Sequence, residues 1–97
     1  MARIVDGVTD VPTAGTRVRI NNTTERVLWL YMRARTANTN NVWFGSVTIA
    51  ANRGKPIAPG GAWEIDPGRY NASLIFNTLY LDTDTNGNDV EWVALVE

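Results

Sequence analysis

The stretch "RVLWLYMRAR", Arg26 to Arg35, decides the fold, because it satisfies two periodicities at once. As a helix it places Val27, Leu30, Tyr31 and Ala34 in one stripe, and Leu, Met, Ala and Arg are good helix formers. As a strand it places Leu28, Leu30, Met32 and Ala34 on one side and Val27, Trp29 and Tyr31 on the other. The flanks favour the strand. "NNTTE" before it and "TANTNN" after it are polar turn clusters that bound it closely, and the segments beyond them also have strand character. A strand that is apolar on both faces belongs in the middle of a sheet. Its second face must be covered by loops or by another chain.

Outward from that stretch the pattern stays β. "TRVRI" alternates, with Val18 and Ile20 on one face and Arg17 and Arg19 on the other. "VWFGSVTIA" reads as a strand interrupted at Gly45 by a bulge or corner. "AWEID", "SLIF" and "LYLDT" are further short strands, separated by a segment dense in Gly and Pro. In "VEWVALVE" the residues Val90, Trp92, Ala94 and Val96 share a face under a period of two. Turn signals every eight to twelve residues or so predict an all-β fold: a small antiparallel β-sandwich, jelly-roll or Ig-like. Residues 16–97 make up this domain. Residues 1–15, with Gly7, Pro12 and Gly15 among short apolar clusters, read as a short N-terminal arm. Ile4 and Val5 are unhelpful in a purely solvated tail, so the arm is expected either to fray or to order against a neighbouring subunit.

"LDTDTNGNDVEW", Leu81 to Trp92, also admits two readings. Asp82, Asp84, Asn86 and Gly87 fall at positions one, three, five and six of a calcium-binding loop. Position twelve should be a bidentate glutamate, but it is Val93, and Glu91 comes two residues early. The flanks are strands where that loop needs helices. Asn86-Gly87 is instead a strong hairpin-turn signal, since both residues tolerate positive φ. No metal ligand set is predicted.

Composition narrows the function classes. The chain of 97 residues has no Cys and no His, which excludes disulfides, thiolate chemistry and any His-based acid, base or metal ligand within it. A formal net charge of −1 gives no global attraction to nucleic acid or anionic membrane. The apolar runs "VLWLYM" and "WVALV" are too short to span a bilayer, and the start of the chain lacks the apolar centre of an export signal. Asn21, Asn22 and Asn71 sit in N-x-[ST] patterns that carry little weight without such a signal. The carboxylates Asp82, Asp84, Asp89 and Glu91 gather beside a solvated turn, where paired acid–base catalysis lacks a cleft. Lys55, the one lysine, lies in a Gly/Pro loop that departs from a phosphate-binding pattern at Pro56. No catalytic residue and no cofactor is predicted. Trp29, Trp43, Trp63 and Trp92 are many for this length. They fit core and interface positions, with a sugar-stacking platform as the alternative. Arg17, Arg19, Arg26, Arg33 and Arg35 suggest a basic face, offset by nearby acids, so no nucleic-acid partner is expected.

Together, "NNVWFGSVTIAANRGKPIAPGGAWEID" and "LYLDTDTNGNDVEWVAL" resemble a recurring type of small bacteriophage virion protein. The resemblance lies in the Gly45-Ser46 step, the turn at Pro56, Ile57, Pro59 and Gly60, the strand at Leu79, Tyr80 and Leu81, and the closing Val90, Glu91, Trp92, Val93 and Ala94. Phe44 stands where that pattern has a second glycine. The resemblance implies a non-enzymatic β-sandwich that assembles on phage heads or tails. A capsid decoration or head-accessory protein is the leading expectation, located in the virion after assembly in the host cytoplasm. A tail or neck component, or a carbohydrate-binding module at a receptor-binding tip, are the alternatives. The expected partners are the major capsid protein or other virion proteins, with no membrane partner. A homo-oligomer is expected, with a trimer slightly favoured because capsid lattices offer three-fold positions. Ile4, Val5, Val27, Trp29 and Tyr31 are the candidate partner interface.

Overall fold

A computed structural model describes residues 1–70 and 74–97. The predicted sequon at Asn71 lies outside the described residues. Among the described residues nine strands form two antiparallel sheets: β1 Arg3–Val11, β2 Val18–Arg19, β3 Arg26–Ala34, β4 Val42–Gly45, β5 Lys55–Ile57, β6 Ala62–Ile65, β7 Leu74–Ile75, β8 Tyr80–Thr83 and β9 Asn88–Val96. Two 3₁₀ turns, Pro67–Tyr70 and Phe76–Thr78, are the only helical pieces among the described residues. The larger sheet has the order β1-β9-β3-β6, with β7 added at the start of β3, and the smaller sheet runs β2-β8-β4-β5.

The pairing is nested. β4 pairs with β5, β3 with β6, β2 with β8 and β1 with β9, as in one long double strand folded at the β4–β5 turn. Coiling that double strand brings β9 beside β3 and β8 beside β4. This order is that of a jelly roll rather than an immunoglobulin sandwich.

Burial explains the strands. Along β9 the residues Val90, Trp92, Ala94 and Val96 face inward, as the period of two requires. They meet Leu30, Met32 and Ala34 of β3 and, from the other sheet, Val42, Phe44, Ile57 and Leu81. Phe76 packs edge-on against Trp92 at 5.0 Å between ring centroids. Trp63 of β6 packs edge-on against Phe44 of β4 at 5.7 Å and so closes one side between the sheets.

Three expectations are corrected. Residues 1–15 are not an arm. Most of them form β1, which pairs with β9 in unbroken register from Arg3↔Val96 to Val11↔Asn88. The alternation had been hidden, because the inward positions Val5, Gly7, Thr9 and Val11 are no more apolar than the outward Ile4, Asp6, Val8 and Asp10. Asn86-Gly87 does make a turn, with Gly87 at φ 83°, but it does not close a hairpin. β8 and β9 lie in different sheets, so the turn carries the chain across the sandwich. Finally, β3 does not alternate strictly. Its register against β9 shifts between Val27 and Trp29, so Leu28 is an extra residue that changes the phase. Val27 consequently points into the core, fully buried, with Leu30, Met32 and Ala34.

Candidate functional site

The outer face of the larger sheet carries a band of apolar side chains. Ile4 is 64% and Val8 54% exposed on β1. Leu95 and Val93 stand beside them on β9, in the pairs Ile4↔Leu95 and Asp6↔Val93. β3 then adds Trp29 opposite Leu95 and Tyr31 opposite Val93. The Trp29 and Tyr31 rings are stacked, 6.4 Å apart with 21° between their planes. The indole Nε1 of Trp29 donates to Glu64 of β6 at 2.7 Å. Below this band Arg33 donates to Glu91 at 3.0 Å, and Arg35 to Asp89 at 3.4 Å. A shallow depression is lined by Asp6, Val8, Tyr31, Arg33, Glu91 and Val93.

Of the five predicted interface residues, three share this face: Ile4, Trp29 and Tyr31. The other two do not. Val5 is on the inward side of β1 and packs against the core, and Val27 is buried by the bulge. Sequence reasoning missed Val93 and Leu95. Their signal was present, since they are the alternate positions of a strand whose core face had been identified.

The candidate calcium loop has a different use. Asp82 is only 2% exposed, and its Oδ1 accepts from the backbone N–H groups of Thr83 at 2.8 Å and Gly15 at 3.1 Å. Asn86 Oδ1 accepts from the N–H of Ala14 at 2.7 Å. Two of the supposed ligands therefore tie the crossing turn to the segment that follows β1. Among the described residues no cluster of three carboxylates suits a cation. Next to this turn Asn88 Nδ2 donates to Thr83 Oγ1 and Asn40 Oδ1, while its Oδ1 accepts from Thr39 N–H. Asn38 exchanges two hydrogen bonds with the backbone of Asp89. The polar "TANTNN" loop thus closes one end of the sandwich.

The four tryptophans do not form one platform. Trp92 is core, with its Nε1 donating to Thr9 Oγ1 at 3.0 Å, and Trp63 sits between the sheets with the Lys55 ammonium over its ring. Trp43, paired in register with Asp82 and Pro56, faces outward from the smaller sheet. The arginines divide as well. Arg33 and Arg35 lie paired on the larger sheet's face. Arg19 on the smaller sheet places its guanidinium over Tyr80 and donates to its hydroxyl. No protein-family model, curated protein or solved structure matches the chain.

Proposed function

We propose that the protein is a bacteriophage structural protein that decorates the capsid, bridging neighbouring subunits of the shell. The observation that carries this reading is the outer face of the larger sheet, where Ile4, Val8, Val93, Leu95, Trp29 and Tyr31 form one apolar band, exposed at Ile4 and Val8 and half-buried at the other four. A band of aromatic anchors with a charged rim is the composition of a docking surface. The resemblance of the Gly45–Ala94 patterning to small virion proteins supplies the particle. The jelly-roll order supports the reading by analogy only, since viral capsid and lectin domains both use it. Bridging stabilises a shell because the buried area exists only in the assembled lattice.

Mass spectrometry and cryo-electron microscopy of purified particles test this directly. The expected result is density for the sandwich on the head surface, with the larger sheet against the capsid protein. Density at the neck or tail would move the protein to that site, and absence from virions would remove the reading. A second reading rests on the parallel Trp29–Tyr31 rings beside Arg33, Glu91 and Asp6, a pattern suited to stacking on a sugar. Glycan-array binding abolished by Tyr31→Ala would favour it.

A further inference from the structure

Charge is sorted between the two broad faces of the sandwich. The ion pairs among the described residues join Arg3 to Glu25, Arg26 to Glu97, Arg33 to Glu91 and Arg35 to Asp89. Arg17, Arg19, Arg53 and Lys55 take part in none of them. Arg17 and Arg19 stand on the outer side of the smaller sheet, around Tyr80 and Val47. Arg53 lies in the loop that joins β4 to β5, whereas Lys55 pairs with Phe44 and turns to the side between the sheets, over Trp63. Asp6 and Asp10 likewise make no ion pair, and both point outward from β1 on the larger sheet. Glu64 on the same face accepts from the indole N–H of Trp29. The larger sheet's face thus carries Asp6, Asp10, Glu64, Asp89, Glu91 and Glu97 against Arg26, Arg33 and Arg35. Each face also exposes apolar surface: the band from Ile4 to Tyr31 on one, and Trp43, Val47 and Tyr80 on the other.

From this we infer that the occupant of each face is a second copy of the chain, bound front to back. The acidic, aromatic face of one molecule receives the basic, aromatic face of the next. That orientation sets unlike charges against each other across the whole contact, whereas a two-fold contact through the larger sheet would bring together two faces that both carry the unpaired Asp6 and Asp10. Principal extents of 37 × 25 × 20 Å give a broad face comparable to the ~800 Å² that each partner contributes to a standard interface. The two faces lie on opposite sides of the molecule, so successive contacts do not close. The copies form an open stack that lengthens with concentration.

The terminal copy of a stack keeps its larger-sheet face free for the shell, so this inference goes beyond the capsid reading, and it is tested on the purified protein alone. It can therefore fail while the particle assay succeeds, or the reverse. Sedimentation velocity should show the weight-average mass rising continuously with concentration at low salt. Raising the salt from about 50 to about 500 mM should weaken association at least roughly tenfold, as screening shortens the reach of the charges. Two double variants, Asp6→Lys/Asp10→Lys and Arg17→Glu/Arg19→Glu, should each be folded by circular dichroism and monomeric. Mixed in equal amounts they restore two complementary contacts, native back on native front and reversed front on reversed back, so they should co-assemble into an alternating stack. The charge-neutral pair Asp6→Asn/Asp10→Asn should associate less than the native chain and more than the reversed one. A native protein that stays monomeric throughout, native association that Arg17→Glu/Arg19→Glu leaves intact, or a mixture of the two reversed variants that fails to associate would each overturn the inference.

Discussion

At Gly7 a missing side chain makes room for a large one. A Cβ built there would lie 2.7 Å from Cζ2 of Trp92, which fills the space over the strand and reaches Thr9 with its N–H. Gly7→Ala should therefore push the indole off Phe76 and cost about 1–3 kcal/mol, read as a fall in melting temperature with unchanged secondary structure. Asn88 is a second sensitive residue. Its amide serves Thr83, Asn40 and Thr39 in a nearly buried position, so Asn88→Ala leaves several polar groups without partners. The expected loss is about 1–3 kcal/mol for each group left unsatisfied, measured by urea unfolding. Asp82 gives a prediction of no change. Its carboxylate is committed to two backbone N–H groups, so EDTA and added calcium should both leave the melting temperature where it was. A calcium-dependent rise would mean a ligand that binds the folded state, and the loop would have to be reassigned.

Among the elements, β1 changes most between sequence and structure, and it yields the sharpest test. Deleting residues 2–14 removes a nine-residue strand from the edge of the larger sheet and uncovers Trp92 and the end of β9. The shortened chain should be largely unfolded by circular dichroism. A cooperative transition near the native temperature would show that β1 is dispensable after all. Strands with a fully apolar inner face, β3 and β9, were legible from residue spacing. β1 was not, because Gly7 and Thr9 dilute its inner face while Ile4 and Val8 enrich its outer one. β5 was read as turn because Pro56 lies in it, yet a short edge strand tolerates a proline. The bulge at Leu28 left no mark that alternation could detect, which is why Val27 was assigned to the wrong face while Trp29 and Tyr31 were assigned to the right one. Asn86-Gly87 announced a turn correctly. Local turn chemistry carries no information about which sheet the chain joins next.

For the whole molecule, the nested pairing makes most stabilising contacts remote in sequence. Only the β4–β5 pair is local, and each outer pair must wait for a longer loop to close. Refolding followed by tryptophan fluorescence should accordingly take milliseconds to seconds, as for other folds dominated by distant pairs. The register Arg3↔Val96 has a further consequence. Strand partners sit about 5 Å apart, so a few Gly and Ser residues suffice to join position 97 to position 1. Such a circular permutant, reopened in the exposed turn at Asn52, keeps every strand pair while inverting the nest. β1 and β9 become the neighbours across a short link, and β4 and β5 become the most distant pair. Stopped-flow measurements on the two connectivities would then compare one sandwich assembled from opposite ends.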